Sequence, residues 1–233
     1  MKIALVLRGI TYSPIYVHHT GVAYRIDYQD NLKNIREQIL EPFNNADVYL
    51  STYASEKQKE VLEDIKPVGH VFLPAKGKTQ VDCFAAGLEL VKNSNIAYDL
   101  VIVTRMDLDF TMPLSQLKFD VTKFNFMWEE NPKVDSNCVA DAMHVFPSRL
   151  LGPLMQTLRE YDYTKNLHKL RSYLLKHTDA SELHYVFAPV LDSNSDKCPN
   201  PLYKIKRGVR IHNHDLCFRV RYLLPKAFKY GVV

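Results

Sequence analysis

The feature that most constrains this chain is an alternation of short apolar runs with helical patterns over its first 105 residues. Lys2–Leu7 reads as a buried strand, and Asn31 stands before a helix carrying Leu32, Ile35, Ile39, Leu40 and Phe43 on one face. Asp47–Ser51 is a second strand, and Ser55 with Gln58 forms a capping-box pattern for a helix through Ile65. Val68–Leu73 is a third strand. Thr79 with Asp82 opens a helix whose Val81, Phe84, Ala85, Leu88 and Val91 share a face, and Tyr98–Thr104 is a fourth strand. Four β-α repeats predict an α/β fold with a mostly parallel central sheet covered by helices on both faces. Ligands of such sheets bind beyond the carboxyl ends of the strands, which directs attention to the loops after Leu7, Ser51, Leu73 and Thr104.

The second half reads differently. Lys123–Trp128 and Ala142–Phe146 have strand character, Ser148–Glu160 and Thr164–Lys176 helical character, and Ser181–Ala188 the look of a short helix. Val209–Val220 mixes β-branched and basic residues as a strand and loop. No Gly/Ser-rich linker or repeat divides the 233 residues, so a single domain is expected. The 46% hydrophobic and 24% charged residues exclude a disordered tail, a collagen-like fibre and a disulfide scaffold. The apolar runs are far shorter than the roughly 20 residues that span a bilayer, and the five apolar residues after Lys2 are too few for a signal-peptide core. Cys83, Cys138, Cys198 and Cys217 are scattered with no C-x-x-C pair, which argues against zinc and for reduced thiols in a cytoplasmic protein.

Charge is uneven. Residues 204–233 hold eight basic side chains against Asp215 alone, a net +7, so the rest of the chain carries −3. Such asymmetry points to an anionic partner or to a solvated basic edge.

The chemistry-bearing segment is Leu100-Val-Ile-Val-Thr-Arg-Met-Asp-Leu-Asp-Phe110. In extended chain Asp107 and Asp109 point the same way and can present two carboxylates to one hard cation, with Leu108 turned to the core. With 16 aspartates in 233 positions, roughly one Asp-x-Asp is expected by chance. The pair therefore draws its weight from position, after an apolar strand at the ligand-binding edge and beside Arg105. Arg105 can orient these carboxylates or pair with a phosphate. At the other strand ends stand Arg8 and Gly9, whose glycine admits close backbone approach, and Thr52 with Tyr53, whose ring can stack on a base.

This block, about 100 residues after a first strand ending Leu7-Arg8-Gly9, resembles the metal-dependent nucleotide-sugar glycosyltransferases of the GT-A fold, most of all the compact ones of large algal viruses and bacterial polysaccharide loci. The resemblance implies a nucleotide-sugar-binding half over 1–110, Rossmann-like in character, and an acceptor half over 111–233. It implies sugar transfer from a nucleotide diphosphate donor to a glycan or glycoprotein acceptor, assisted by Mn²⁺ or Mg²⁺ as a Lewis acid on the departing diphosphate. Nucleic acid is not a partner on this reading, and for a virus-borne enzyme the site of action is the host cytoplasm. By the same resemblance Asp109 coordinates the ion most directly, Asp107 reaches the ribose or the ion's waters, and a late histidine completes the set. Ile211-His-Asn-His-Asp215 offers His212 and His214, of which His214 is preferred. An inverting transferase also needs a carboxylate base. Asp141 and Glu182 are the candidates, with Glu129 and Glu130 behind them, although Asp179-x-x-Glu182 also reads as a helix cap.

Two other functions draw on the same residues. Asp107-Leu-Asp-Phe-Thr111 fits the D-x-D-x-T pattern of haloacid-dehalogenase-like phosphatases, with Asp107 as nucleophile and Leu191-Asp-Ser-Asn-Ser-Asp196 as a later acidic motif; that nucleophile normally follows a first strand, not a fourth. A non-enzymatic module would use the basic C-terminal segment to grip an anionic polymer or lipid. A nucleotidyltransferase acting on sugar phosphates is a further relative of the leading reading. Gly77-Lys78-Thr79 is not a phosphate-binding P-loop, because the required first glycine falls at Phe72.

Overall fold

A computed structural model describes residues 1–17, 22–130, 138–162, 166–187, 202–206 and 208–211. In chain order the elements are β1 (Ile3–Gly9), β2 (Tyr12–Val17), β3 (Ala23–Asp27), α1 (Gln29–Ile35), β4 (Asp47–Tyr53), α2 (Gln58–Ile65), β5 (Gly69–Leu73), α3 (Gln80–Asn93), β6 (Leu100–Arg105) and β7 (Leu108–Phe110). They continue with β8 (Phe124–Phe126), β9 (Met143–Pro147), α4 (Leu151–Arg159), α5 (Leu170–Leu174), β10 (Leu183–Tyr185), β11 (Tyr203–Ile205) and β12 (Val209–Arg210).

The central sheet has seven strands in the order β10-β8-β9-β6-β1-β4-β5. The β6-β1-β4-β5 half is parallel throughout, and β9 runs antiparallel to both β6 and β8. Strand order reverses between β1 and β6, the switch point where an open α/β sheet leaves a crevice. The α/β class and the mostly parallel sheet are thus as the alternation predicts.

Alternation along each strand builds two cores. Leu5, Leu7, Leu50 and Ile102 face Ile35, Val61 and Ile65 of the α1–α2 layer. Ala4, Val6, Val101 and Val103 face Phe84, Leu88, Leu154 and Leu170 of the α3–α4–α5 layer. Helix α3 lies closest to the sheet at Gly87, where an added Cβ would stand 2.6 Å from Val6 Cγ1 and 3.3 Å from Ser51 Cβ. Val6 is a β-branched residue in a central strand and cannot rotate away. Gly87→Ala is therefore expected to lose about 1–3 kcal/mol to overpacking against a helix-propensity gain of at most about 1 kcal/mol. The measurement is a lower urea midpoint at unchanged m-value.

Several local expectations are corrected. Asn31 does not cap α1; the helix starts two residues earlier and Asn31 is buried inside it. After Ile35 the helix widens into π-type turns over Arg36–Leu40. Ser55 does not cap α2, whose start at Lys57 has no side-chain cap. Thr79 and Asp82 do form the capping box of α3. Ser181–Ala188 is not a helix: one tight turn over Ala180–Glu182, capped by Asp179, leads straight into β10, which pairs with β8. Strands β2 and β3, absent from the sequence reading, form a three-stranded sheet with β12. Of the proposed Val209–Val220 strand only its start is described. Cys83 and Cys138 are unbridged, and Cys198 and Cys217 lie outside the described residues. No helix among the described residues is long and apolar enough to cross a membrane.

Candidate active site

At the switch point Arg8 and Arg105 are direct neighbours, partnered across the parallel β1–β6 ladder. Asp141 joins them from the neighbouring strand, because β9 runs antiparallel to β6 and brings its amino end to this edge. Backbone pairing fixes that position: Arg105 N donates to Ala142 O at 3.1 Å. Three segments far apart in sequence therefore meet where the crevice opens.

Each charge has a partner. Arg8 is 1% exposed, lies over the Phe84 ring at 5.0 Å and donates through Nη2 to Asp141 O at 2.6 Å. Arg105 grips both carboxylate oxygens of Asp107, Nε to Oδ1 at 2.8 Å and Nη2 to Oδ2. Its Nη1 lies 3.7 Å from Asp141 Oδ1. Asp141 Oδ2 receives the Leu167 N–H at 3.4 Å and faces His168 Nε2 at 4.0 Å. His168 Nδ1 is in turn hydrogen-bonded to Val139 O at 2.8 Å.

The titration of these groups follows from burial and neighbours. Burial and then the adjacent Arg105 push the Arg8 guanidinium below its ordinary value. Burial works the same way on Arg105, but Asp107 and Asp141 outweigh it and raise that guanidinium. Burial alone would raise the Asp141 carboxyl; His168, Arg105 and Arg8 outweigh it and hold the group below the usual carboxylate range.

The Asp-x-Asp backbone is clamped from both sides. Asn31 and Asn34, one turn apart on α1, reach it together: Asn31 Nδ2 donates to Met106 O at 3.1 Å, and Asn34 bonds both the N–H and the C=O of Phe110 at 2.8 Å. On the other side β7 pairs antiparallel with β11, which sets Lys204 opposite Asp109, and Lys206 N donates to Asp107 O at 2.7 Å. Lys206 Nζ reaches on to Asp30 O.

The candidates of the sequence reading thus divide. Arg8, Arg105, Asp107 and Asp141 form one ion-pair cluster, with Asp109 two residues from Asp107 on the clamped strand and Gly9 at the end of β1 in a positive-φ conformation (+114°). Thr52 is not a strand-end residue open to a ligand: it lies within β4, fully buried, its hydroxyl 3.1 Å from that of Thr11. Tyr53 is likewise buried rather than a surface ring. Glu182 is at the wrong end of the sheet. It precedes Leu183, whose register through β8 and β9 places it about four residues, roughly 13 Å, below Arg105 along the strand direction. There it pairs with Arg149 instead. Glu129 and Glu130 follow β8 at the site edge, and the Trp128 indole N–H donates to Glu130 Oε2 at 3.1 Å. His212 and His214 lie outside the described residues. Among the described residues no three His, Cys, Asp or Glu side chains gather as a metal-holding set.

The sequence reading missed His168, Asn31 and Asn34 as site residues. The asparagines carried a faint signal: two amides three residues apart fall on one side of a helix, beside Leu32 and Ile35. His168 carried none, because only the fold brings it to Asp141.

No family model matches the chain, and no curated protein matches it. Solved structures do. A nucleotidyl transferase from Methanothermobacter thermautotroptrophicus superposes with a TM-score of 0.51 at 13% identity, over 80% of this chain and 86% of that one. A nucleoside-diphosphate-sugar pyrophosphorylase from Vibrio cholerae RC9 gives 0.49 at 11%, over 79% and 91%. A cytidylyltransferase from Leptospira borgpetersenii gives 0.47 at 14%, over 100% and 91%. At these identities the likeness is one of fold: this chain has the α/β fold of the nucleotidyl transferase.

Proposed function

We propose that the protein is a transferase acting on a nucleotide diphosphate sugar, and that it moves the sugar to a glycan or glycoprotein acceptor. The observation that carries this reading is the pair of guanidiniums, Arg8 and Arg105, side by side at the switch point and next to the clamped Asp-x-Asp strand. Departure of a nucleoside diphosphate concentrates negative charge on its phosphates, and preorganised cations at that place stabilise it without reorganisation. Asp141 supports the pair twice, its backbone carbonyl accepting from Arg8 and its carboxylate facing Arg105, so it serves as their anchor. A carboxylate held below its ordinary range by the neighbouring guanidiniums and His168 is a weak base, which favours this anchoring role over proton abstraction.

A divalent ion fits the donor chemistry, since Asp107 and Asp109 offer the hard carboxylate oxygens that Mn²⁺ and Mg²⁺ prefer. When bound there, the ion would act as a Lewis acid toward the diphosphate. The rest of the chemistry falls to the chain: α1 and β11 fix the strand, and Lys204 and Lys206 add positive charge along its outer side. A second reading, nucleotidyl transfer between a nucleoside triphosphate and a sugar phosphate, is favoured by the likeness to the Methanothermobacter nucleotidyl transferase.

The test is thermal stability against nucleoside diphosphates, their sugars and nucleoside triphosphates, each with Mn²⁺, Mg²⁺ or EDTA. A ligand at 100 times its Kd stabilises by about 2.7 kcal/mol. The expected result is a metal-dependent rise in Tm with one class of nucleotide diphosphate sugar, lost in Asp109→Asn. Transfer by that variant is expected to fall by more than about 100-fold, since even groups behind a metal ligand are worth 10–100-fold. A response to triphosphates alone selects nucleotidyl transfer, and a flat response overturns both readings.

A further inference from the structure

Arg105 occupies the very atoms that a metal ion at Asp107 would need. One guanidinium edge takes both carboxylate oxygens of Asp107, and the remaining Nη1 faces Asp141 at 3.7 Å. The backbone around Asp107 is held, its own carbonyl by Lys206 N and the preceding one, Met106 O, by Asn31, so any exchange of partners falls to the side chains. Beside this pair stands an independent sign of a missing anion. Arg8 is 1% exposed, yet its Nε has no hydrogen-bond partner among the described residues. A buried charged donor left unmade costs more than an ordinary hydrogen bond returns, and an arriving phosphate oxygen is the kind of acceptor that two adjacent guanidiniums would share.

We infer that Arg105 is an exchangeable counter-ion that makes divalent-ion binding conditional on the diphosphate. This rests on the reading of the crevice as a nucleotide diphosphate site. In the ligand-free protein the Arg105 fork closes Asp107 to metal. When the diphosphate arrives, Arg105 exchanges one anionic partner for another, and Asp107 is released to act with Asp109 toward the ion. Asp107 keeps a cationic partner at both stages, Arg105 before the diphosphate arrives and the divalent ion after it, which is what a desolvated carboxylate requires. Linkage makes the effect reciprocal: the ion strengthens diphosphate binding by the same factor. Metal alone has little purchase on the protein.

The test measures binding, not turnover. Mn²⁺ is titrated into wild type, Arg105→Met and the double variant Arg105→Met/Asp107→Asn, with the free ion followed by electron paramagnetic resonance. In parallel, the Tm of the wild type is recorded with Mn²⁺, with inorganic pyrophosphate and with both. Arg105→Met is expected to bind Mn²⁺ alone about tenfold more tightly than wild type, within the usual range of coupling energies, and the added Asp107→Asn to abolish the gain. In wild type the joint Tm shift is expected to exceed the two separate shifts combined. Should Arg105→Met fail to fold, Arg105→Lys replaces it, since an ammonium keeps the charge but cannot fork across two oxygens; an intermediate gain is expected. Wild type that binds Mn²⁺ alone as tightly as the Arg105 variant overturns the counter-ion role while leaving the transferase reading intact. Absence of Mn²⁺ binding in every variant, with or without pyrophosphate, overturns the inference and the metal-assisted reading together.

Discussion

Asp141→Asn is expected to destabilise the protein by about 3–5 kcal/mol, the usual cost of removing one member of a buried ion pair. The substitution preserves volume and shape, so the loss isolates charge. Arg8 and His168 would then face a neutral amide, and Arg105 would depend on Asp107 alone. Equilibrium urea unfolding at pH 7 checks the value. A double-mutant cycle with Arg105→Met checks its origin, because residues in one network give a coupling energy whereas independent sites add. The result bears on function as well. If the carboxylate is an anchor, the asparagine variant weakens binding of the nucleotide through misplaced guanidiniums; a residue acting only as a proton acceptor would leave binding untouched.

Acid sensitivity provides the second large effect, and it traces to His144. This residue lies in β9, fully buried, stacked on Phe84 at 5.5 Å with Phe124 and Phe126 around it. Burial, and after it the nearby Arg8, push its pKa down to about 3 from an ordinary 6.5. Between those values the unfolded chain binds a proton that the folded one refuses, so stability falls as the pH falls. The slope is about 1.4 kcal/mol per pH unit, or about 3 kcal/mol between pH 6.5 and pH 4. His144→Phe is expected to flatten this part of the stability profile and to cost little at pH 7, where the imidazole is neutral and packed among aromatic rings. Urea unfolding from pH 7 to pH 4 decides it: an unchanged slope in the variant would place the acid sensitivity elsewhere. Asp141 adds a further loss only at lower pH, because its depressed carboxyl stabilises the fold above its unfolded value and yields on protonation in stronger acid.

The legible part of this protein was the part written in local pattern. β1, β4 and β6 are apolar runs whose alternate residues serve two cores, β5 is a short apolar run at the sheet edge, and the Thr79–Asp82 box is self-contained within four residues. That Arg8 and Arg105 stand at the carboxyl edge of the parallel strands followed from strand polarity alone. Elements lacking such a pattern were lost. β2 contains Pro14 and pairs with β3 through an irregular register, so its aromatic residues show no clean alternation. Asp179 does cap, accepting from Ser181 N, but it caps a single tight turn ahead of a strand, and the same four residues spell a helix start to any local reading. Site residues divide on the same principle. Arg8, Arg105 and Asp107 could be found because they end apolar strands. Glu182 was misplaced because its neighbours in space are decided by the pairing of β10 with β8, and His168 was invisible because Asp141 lies 27 residues before it in sequence.

The segment Leu202–Ile211 has a consequence for the order in which the molecule is made. It pairs through β11 with β7, crosses Asp107 at Lys206 and pairs through β12 with β3, with Gly208 at φ +88° in a place where any Cβ would run into Arg25 O. Its contact with Asp30 spans 176 residues. A ribosome adding about 5–20 residues per second has every core strand of the parallel sheet in hand long before this segment exists. The growing chain can therefore lay down the sheet and most of both cores early, while Leu202 and Tyr203, which complete one of them, are still to come. The strand wall beside Asp107 is therefore added after the sheet, and the same piece is the one whose local release would uncover Asp107 without unfolding the strands beneath it.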